Sequence, residues 1–201
     1  MKPLTTNIKI KGDWSEVLDD CRYTVNKGSR GHTPSAEFKS RILMSEHSPI
    51  RDIIVCWDWE HIPYYVANEF TRHHVGIEKF MTTSREDRTG VPRDSRKQTD
   101  FVSLRCKANM QSLIDIARKR MCHKATTQAQ IYFDDLKTEL SKIDEYLGYV
   151  LVPNCVYRGG CGELETCGAY KAWLPKNAEY ITDLEMRYRN YNDYFFDGGI
   201  I

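Results

Sequence analysis

Hydrophobic and polar positions alternate from Asn7 to Lys11, a period of two that predicts a short strand with one buried face. Asp13 stands as a helix cap ahead of Trp14, Val17, Leu18 and Cys21. Their spacing of three and four predicts a helix reaching about Val25. Asn26 to Pro34, rich in Gly, Ser and charge, reads as a loop, and a helix from about Ser35 to Ser45 ends before Ser48-Pro49. Alternation returns from Asp52 to Trp57, with Ile53, Val55 and Trp57 on one face, and predicts a second strand. Ile62, Tyr65, Val66, Glu69, Phe70 and His73 then mark one face of a helix. From Thr82 to Asp100 the pattern vanishes. That stretch is too long for a simple connection, and long loops in compact domains are often functional. Ala108 to Met121 and Thr126 to Leu147 predict two further helices. In the tail, Tyr188, Tyr191, Tyr194 and Phe195 lie at near-helical spacing, which fits burial against another surface.

Strands set among helices predict one α+β domain, with residues 149–201 as a Cys- and Tyr-rich extension packed on a body of residues 1–148. Composition adds limits. A chain of 201 residues suffices for one sizeable core. A formal net charge of +1 argues against non-specific nucleic-acid binding as the main task. No apolar run approaches the ~20 residues of a membrane helix. Met1-Lys2-Pro3-Leu4-Thr5 lacks the apolar core of a signal peptide. The expected location is the cytoplasm. There the seven cysteines are expected as thiols or metal ligands rather than disulfides.

On this near-neutral background the cations look focused. Arg72, His73 and His74 close one predicted helix. Arg85, Arg88, Arg93 and Arg96 follow in the long loop, and Arg118, Lys119, Arg120, His123 and Lys124 end a later helix. Arginine forks grip phosphate bidentately, so a small phosphorylated ligand is expected. Each group also has a plainer reading. Arg72-His73 fits a solvated helix end whose dipole favours cations. Arg120 fits a surface cation, and the loop arginines fit a solvated surface offset by Glu86, Asp87 and Asp94.

Cys155, Cys161 and Cys167 recur with five residues between neighbours in a glycine-rich setting. Cys122, in the turn between two predicted helices, is the best fourth partner, with His123 behind it. Four such ligands suit structural zinc or, with the same thiolates, an iron–sulfur cluster. The alternative is a set of buried or loop thiols. Cys21, Cys56 and Cys106 have no spacing that suggests chemistry and are expected in the core.

Taken in order, His47-Ser48-Pro49, Arg72-His73-His74, and Asn109-Met110-Gln111-Ser112-Leu113 with Arg120 resemble the flavin-dependent thymidylate synthases. That family carries a [Ser/Thr]-Pro element before a strand. It also carries a signature opening Arg-His-Arg and closing Ser-x-Arg-Tyr, and an Asn-Ala-Arg-Ser-Leu helix leading to an arginine. Leu18-Asp19-Asp20-Cys21-Arg22 is similar to the family's first helix. The resemblance covers roughly residues 5 to 145. It departs at His74, which stands for arginine, and at Ile77, Lys79 and Phe80, which stand for Ser, Asn and Glu. A one-residue insertion places the closing Ser-x-Arg on Thr83-Ser84-Arg85.

The resemblance implies helices packed on a small mixed or antiparallel sheet, with bound FAD. It implies transfer of a one-carbon unit from methylenetetrahydrofolate to carbon 5 of dUMP, with NADPH as reductant. It places Ser48, Arg72, His73, His74 and Asn109 near the FAD. Arg85, Arg88 and Arg93 fall near the nucleotide phosphate, and Arg120 at the pyrimidine as the catalytic group. A homotetramer with active sites shared between subunits is implied as well. The altered signature opens a variant on the same scaffold that makes 5-hydroxymethyl-dUMP or modifies another pyrimidine nucleotide. A metal-stabilised nucleic-acid-binding module, using Arg118-Lys119-Arg120 and Lys124, is the remaining alternative.

Overall fold

The computed structural model describes residues 2–198, apart from 177 and 179. Among these, strand β1 (Thr5–Lys11) is followed by helix α1 (Trp14–Tyr23), helix α2 (Ala36–Met44) and a 3-10 turn over Ser48–Asp52. Strand β2 (Ile54–Pro63) leads into α3 (Tyr64–Thr71), and β3 (Ile77–Met81) into α4 (Glu86–Thr89) and a second 3-10 turn, Arg93–Ser95. Strand β4 (Phe101–Asn109) runs into α5 (Met110–Arg120), α6 (Thr127–Ile143) and α7 (Glu145–Tyr149). The tail adds α8 (Asn154–Arg158), a 3-10 turn over Ala169–Trp173, and α9 (Leu184–Phe196).

The strands form one antiparallel sheet in the order β1-β2-β4-β3. Its inner face is set by the two-residue period. Leu104, Cys106 and Ala108 of β4 are buried, while Arg105 between them is exposed. From β2, Trp59 packs on Phe70 of α3 at 4.5 Å and on Tyr132 of α6 at 5.8 Å between ring centroids. Both polar atoms are satisfied: Trp59 Nε1 donates to Thr5 Oγ1 at 2.9 Å, and Tyr132 Oη donates to the His61 carbonyl at 3.0 Å. On the outer face Arg105 grips Asp58 through two hydrogen bonds of 2.6 Å, which holds that carboxyl below its usual range.

The α+β class and the helices capped by Asp13 and Ser35 agree with the sequence pattern. Three points differ. Strand β2 continues past Trp57 to Pro63, because a bulge between Trp59 and Ile62, with His61 at φ 56°, carries the chain on along β4. The helix expected through Leu147 breaks at Asp144, whose carboxylate caps α7. Strands β3 and β4 lie where no element was expected. The stretch between them is exposed and holds only the short α4 and a 3-10 turn, as its lack of period implied.

The tail shares the core with the rest. Leu151, Val152, Val156, Tyr188, Tyr191 and Phe195 are buried in the same cluster as Trp59 and Phe70. Fully buried Lys137 of α6 donates to the Gly148 carbonyl at 2.9 Å and to Asn192 Oδ1 of α9 at 2.6 Å. Among the described residues no helix is long and apolar enough to cross a membrane.

Candidate functional site

Three elements meet where β3 begins and β4 ends. Helix α3 stops at Thr71 with Arg72 as its C-cap, and the chain turns through Gly76 into β3. Asn109 closes β4 and caps α5 by accepting from the Ser112 N–H at 2.9 Å, while its own N–H donates to the Gly76 carbonyl at 2.9 Å. Gly76 sits at φ +64°, and a Cβ there would lie 2.1 Å from Ser112 Oγ and 2.4 Å from Asn109 Nδ2. Strain and collision act together, so Gly76→Ala is expected to cost about 2–4 kcal/mol. A urea titration checks this, and an unchanged midpoint would refute it.

Behind this junction Arg120, at the end of α5, is tied in place. Its Nη1 donates to Glu69 Oε2 at 2.7 Å, its Nη2 to the Glu69 carbonyl at 2.8 Å, and its Nε to His73 Nε2 at 3.1 Å. Thr126 Oγ1 donates to the other oxygen of Glu69. Burial and the neighbouring Arg72 lower the Arg120 pKa against the pull of Glu69. Burial, then Arg120, Lys119, Lys79 and His74, push His73 down to about 4. His73 is therefore a neutral ring whose Nε2 accepts from Arg120.

The sign of the pH effect follows. The folded His73 refuses a proton that the unfolded chain takes up below its ordinary 6.5. Its contribution is full above 6.5 and is lost as pH falls toward about 4. Unfolding midpoints at neutral and acidic pH are expected to differ more for the parent protein than for His73→Gln. Equal differences would contradict the assignment.

In front of the junction lies an open cleft of ≈ 530 Å³. Arg72, His73 and His74 form one wall. Ser112, Asp115, Ile116 and Lys119, spaced along one face of α5, form the second, and Asn154 and Arg158 of α8 the third. Arg72, Lys119 and Arg158 are exposed and form no ion pair among the described residues. Arg118, also on the cleft, is committed elsewhere: it pairs with Glu46 and lies 3.6 Å over the Tyr157 ring. Among the described residues Asp115 is the one carboxylate on the lining, and burial raises its pKa. The balance favours an anion.

Of the expected cofactor group, the structure brings Arg72, His73 and His74 to the cleft and leaves Asn109 just behind it as a helix cap. Ser48 is exposed on the 3-10 turn and does not line the cleft. Arg120 lies behind His73 rather than on the wall. Arg85, Arg88 and Arg93 are elsewhere. They follow the opposite end of β3, whose five residues span roughly 17 Å. Arg85 is chelated by Asp87 at 2.9 and 2.8 Å, and Arg88 is exposed on α4. Arg93 joins Arg96, Lys97, Tyr64 and Thr82 around a separate cavity of ≈ 150 Å³, where Arg96 Nε is buried with no partner among the described residues.

Sequence reasoning did not pick Asp115, Asn154 or Arg158, and named Ser112 only within the motif that opens at Asn109. Ser112 and Asp115 could have been found from their helical spacing with Lys119. Nothing in the tail's pattern pointed to α8. Cys56 and Cys106 are buried in the sheet, and Cys21 packs partly buried on the core, as expected. Cys122, Cys155, Cys161 and Cys167 face one small cavity.

No family model matches this sequence, and no curated protein matches it. Solved structures do. A UMP/dUMP methylase, PolB, from Streptomyces cacaoi, bound with 5-Br dUMP, aligns over 72% of this chain and 94% of its own, with TM-score 0.56 and 8% identity. The flavin-dependent thymidylate synthase ThyX from Helicobacter pylori, complexed with FAD and dUMP, aligns over 76% of this chain and 100% of its own, with TM-score 0.56 and 12% identity. A second structure of that enzyme with FAD and dUMP gives 76%, 99%, 0.56 and 12%. The likeness is one of fold: this chain has the fold of the flavin-dependent thymidylate synthases.

Proposed function

Starting from that fold, we propose that the chain is an enzyme that binds FAD and a pyrimidine nucleotide, and transfers a one-carbon unit from methylenetetrahydrofolate to carbon 5 of dUMP. The observation that carries this reading is the cationic cleft beside Arg72, His73 and His74, with Arg120 held behind His73. Its exposed cations fit the pyrophosphate of FAD and the nucleotide phosphate. FAD held there would supply the hydride that reduces the transferred carbon to a methyl group, with NADPH as the reductant.

Each residue then has a task. Arg72 and Lys119, with Arg158 opposite, hold phosphate oxygens. Neutral His73 adds no charge to the wall and fixes the Arg120 fork through Nε2. Uracil carbon 5 is a poor nucleophile, and it becomes a better one when negative charge on the base carbonyls is stabilised. Arg120 does this electrostatically once its fork meets the pyrimidine edge. Arg85, Arg88 and Arg93, at the other end of the β3–β4 pair, serve the cleft of a neighbouring subunit. A homotetramer with shared sites accounts for their distance from the cleft of their own chain.

A second reading is favoured by one residue. Asp115 places a carboxylate on the cleft wall. A carboxylate accepts from an exocyclic amine, which cytosine has and uracil lacks. On that reading the same cleft serves another pyrimidine nucleotide, and a hydroxymethyl product is open on either base.

The absorption spectrum of the purified protein, before and after denaturation, tests the core of the proposal. A flavin band with FAD released on denaturation is expected. A colourless protein that takes up no added FAD would remove the hydride source and overturn the reading. Mass detection then separates thymidylate from hydroxymethyl-dUMP, which differ by one oxygen. Parallel incubations with dUMP and dCMP separate the two bases.

A further inference from the structure

The segment between α8 and the 3-10 turn at Ala169 is the least supported stretch of the tail. Residues 161–168 are all exposed, with Leu164 fully so. Among the described residues no backbone–backbone hydrogen bond outside the regular elements involves residues 161–167. Among the described residues its polar ties are a Thr166 hydroxyl accepting from the Gly168 N–H at 3.1 Å, and Lys124 standing 4.0 Å from Glu165. Such a loop has no evident reason to fold back on the body. Yet it brings Cys161 and Cys167 to the same cavity as Cys122, from the turn after α5, and Cys155 of α8.

That cavity has ≈ 30 Å³ of room, enough for a single small occupant. Tyr170, Trp173 and Tyr191 wall its back and keep solvent from that side. A divalent cation bound among four thiols neutralises them as they lose their protons.

We propose that Cys122, Cys155, Cys161 and Cys167 form a closed tetrahedral thiolate site for one zinc ion, which pins the loop 159–168 to the end of α5 and to α8. Among the described residues no three His, Cys, Asp or Glu side chains already form a ligand shell. Closure therefore draws the exposed Cys161 and Cys167 inward by movement of their glycine-flanked loop, with Gly159 and Gly168 both at positive φ. Binding exchanges one zinc ion for four thiol protons. The resulting charge of the cluster is offset in part by Lys124 beside the loop. Four soft sulfur ligands with no open position select zinc over harder cations and suit a structural role.

Elemental analysis of the full chain, purified under reductant and without added metal, is the test. About one zinc per chain is expected. Cys161→Ser and Cys167→Ser, both exposed, should each lower the zinc content at least ~10-fold while the chain stays folded by circular dichroism. His123→Ala and Cys21→Ser should keep the metal. Cobalt loading of the parent protein should give thiolate-to-cobalt charge transfer with the strong d–d absorption of a tetrahedral centre. Absence of zinc combined with failure to take up cobalt would overturn the proposal. So would zinc that survives in both serine variants, or iron with acid-labile sulfide in its place. These readouts involve neither flavin nor nucleotide, so they stand apart from the proposed reaction.

Discussion

Replacing Arg120 by alanine is expected to lower turnover by ~10²–10³-fold while flavin stays bound. The fork is held on three sides, by both ends of Glu69 and by His73, and it reaches the base by exchanging one of these partners. Lysine should not rescue, because an ammonium cannot meet Glu69 and the His73 ring in one plane. Stability is expected to fall as well. Glu69 loses its counter-ion in a half-buried setting, and unpairing a buried charge costs about 3–5 kcal/mol, the lower end applying to a pair that keeps some exposure. The double variant Glu69→Gln/Arg120→Ala separates the effects. It should recover most of the stability and none of the turnover. Wild-type rates in Arg120→Ala, measured with flavin content matched, would remove the residue from the chemistry.

The second large effect lies at Lys137. Its ammonium is wholly enclosed, holding the Gly148 carbonyl and Asn192 Oδ1, under the rings of Phe195 at 5.1 Å and Tyr191 at 5.8 Å. Asn192→Ala removes one of two acceptors and should cost about 2–4 kcal/mol, which melts α9 from the body. Burial pushes Lys137 down to about 7, against the helping charge of Asp134. The folded state thus gives up a proton that the unfolded chain keeps up to its ordinary 10.5. Stability from this group is full above that value and declines as pH falls toward about 7. Above 9 the thiols of Cys106 and Cys155, both raised to about 12, act in the opposite sense. The informative window is therefore pH 7 to 9, where urea midpoints should rise for the parent chain. The rise should vanish in Lys137→Met, and a rise that persists there would mean Lys137 is not its source.

What could be read in the chain follows from how strongly each residue's role is local. Helix caps are local, so Asp13 announced the start of α1, and the helix expected from about Ser35 begins at that residue's cap, whereas Asn109, expected inside a helix from Ala108, caps α5 instead. Strand β4 alternates as a half-buried strand should, through Val102, Leu104, Cys106 and Ala108, but its last turn merges with the helical spacing of α5. Strand β3 is an edge strand, and its pattern is inverted in part: Phe80 is 54% exposed, under the ammonium of Lys107, so its largest apolar residue points out. The motif order Ser48, Arg72, Asn109, Arg120 led to the right fold. It could not say that Arg85, Arg88 and Arg93 would lie at the far end of the sheet from Arg72, because that depends on pairing between β3 and β4. Nor could it show that Asn154 and Arg158 would complete the cleft, since that rests on how the tail packs.

Helix α8 has five residues, little more than one turn, and it faces two cavities at once. Asn154 also borders the cysteine cavity. With Arg158 it lines the cleft, while Cys155, on the same turn, faces the other thiols. A segment this short moves as one body, like a rocker with a load on each arm. Alkylation of Cys155 is therefore expected to disturb Arg158 as well, so chemistry in one cavity reaches the other through the turn they share.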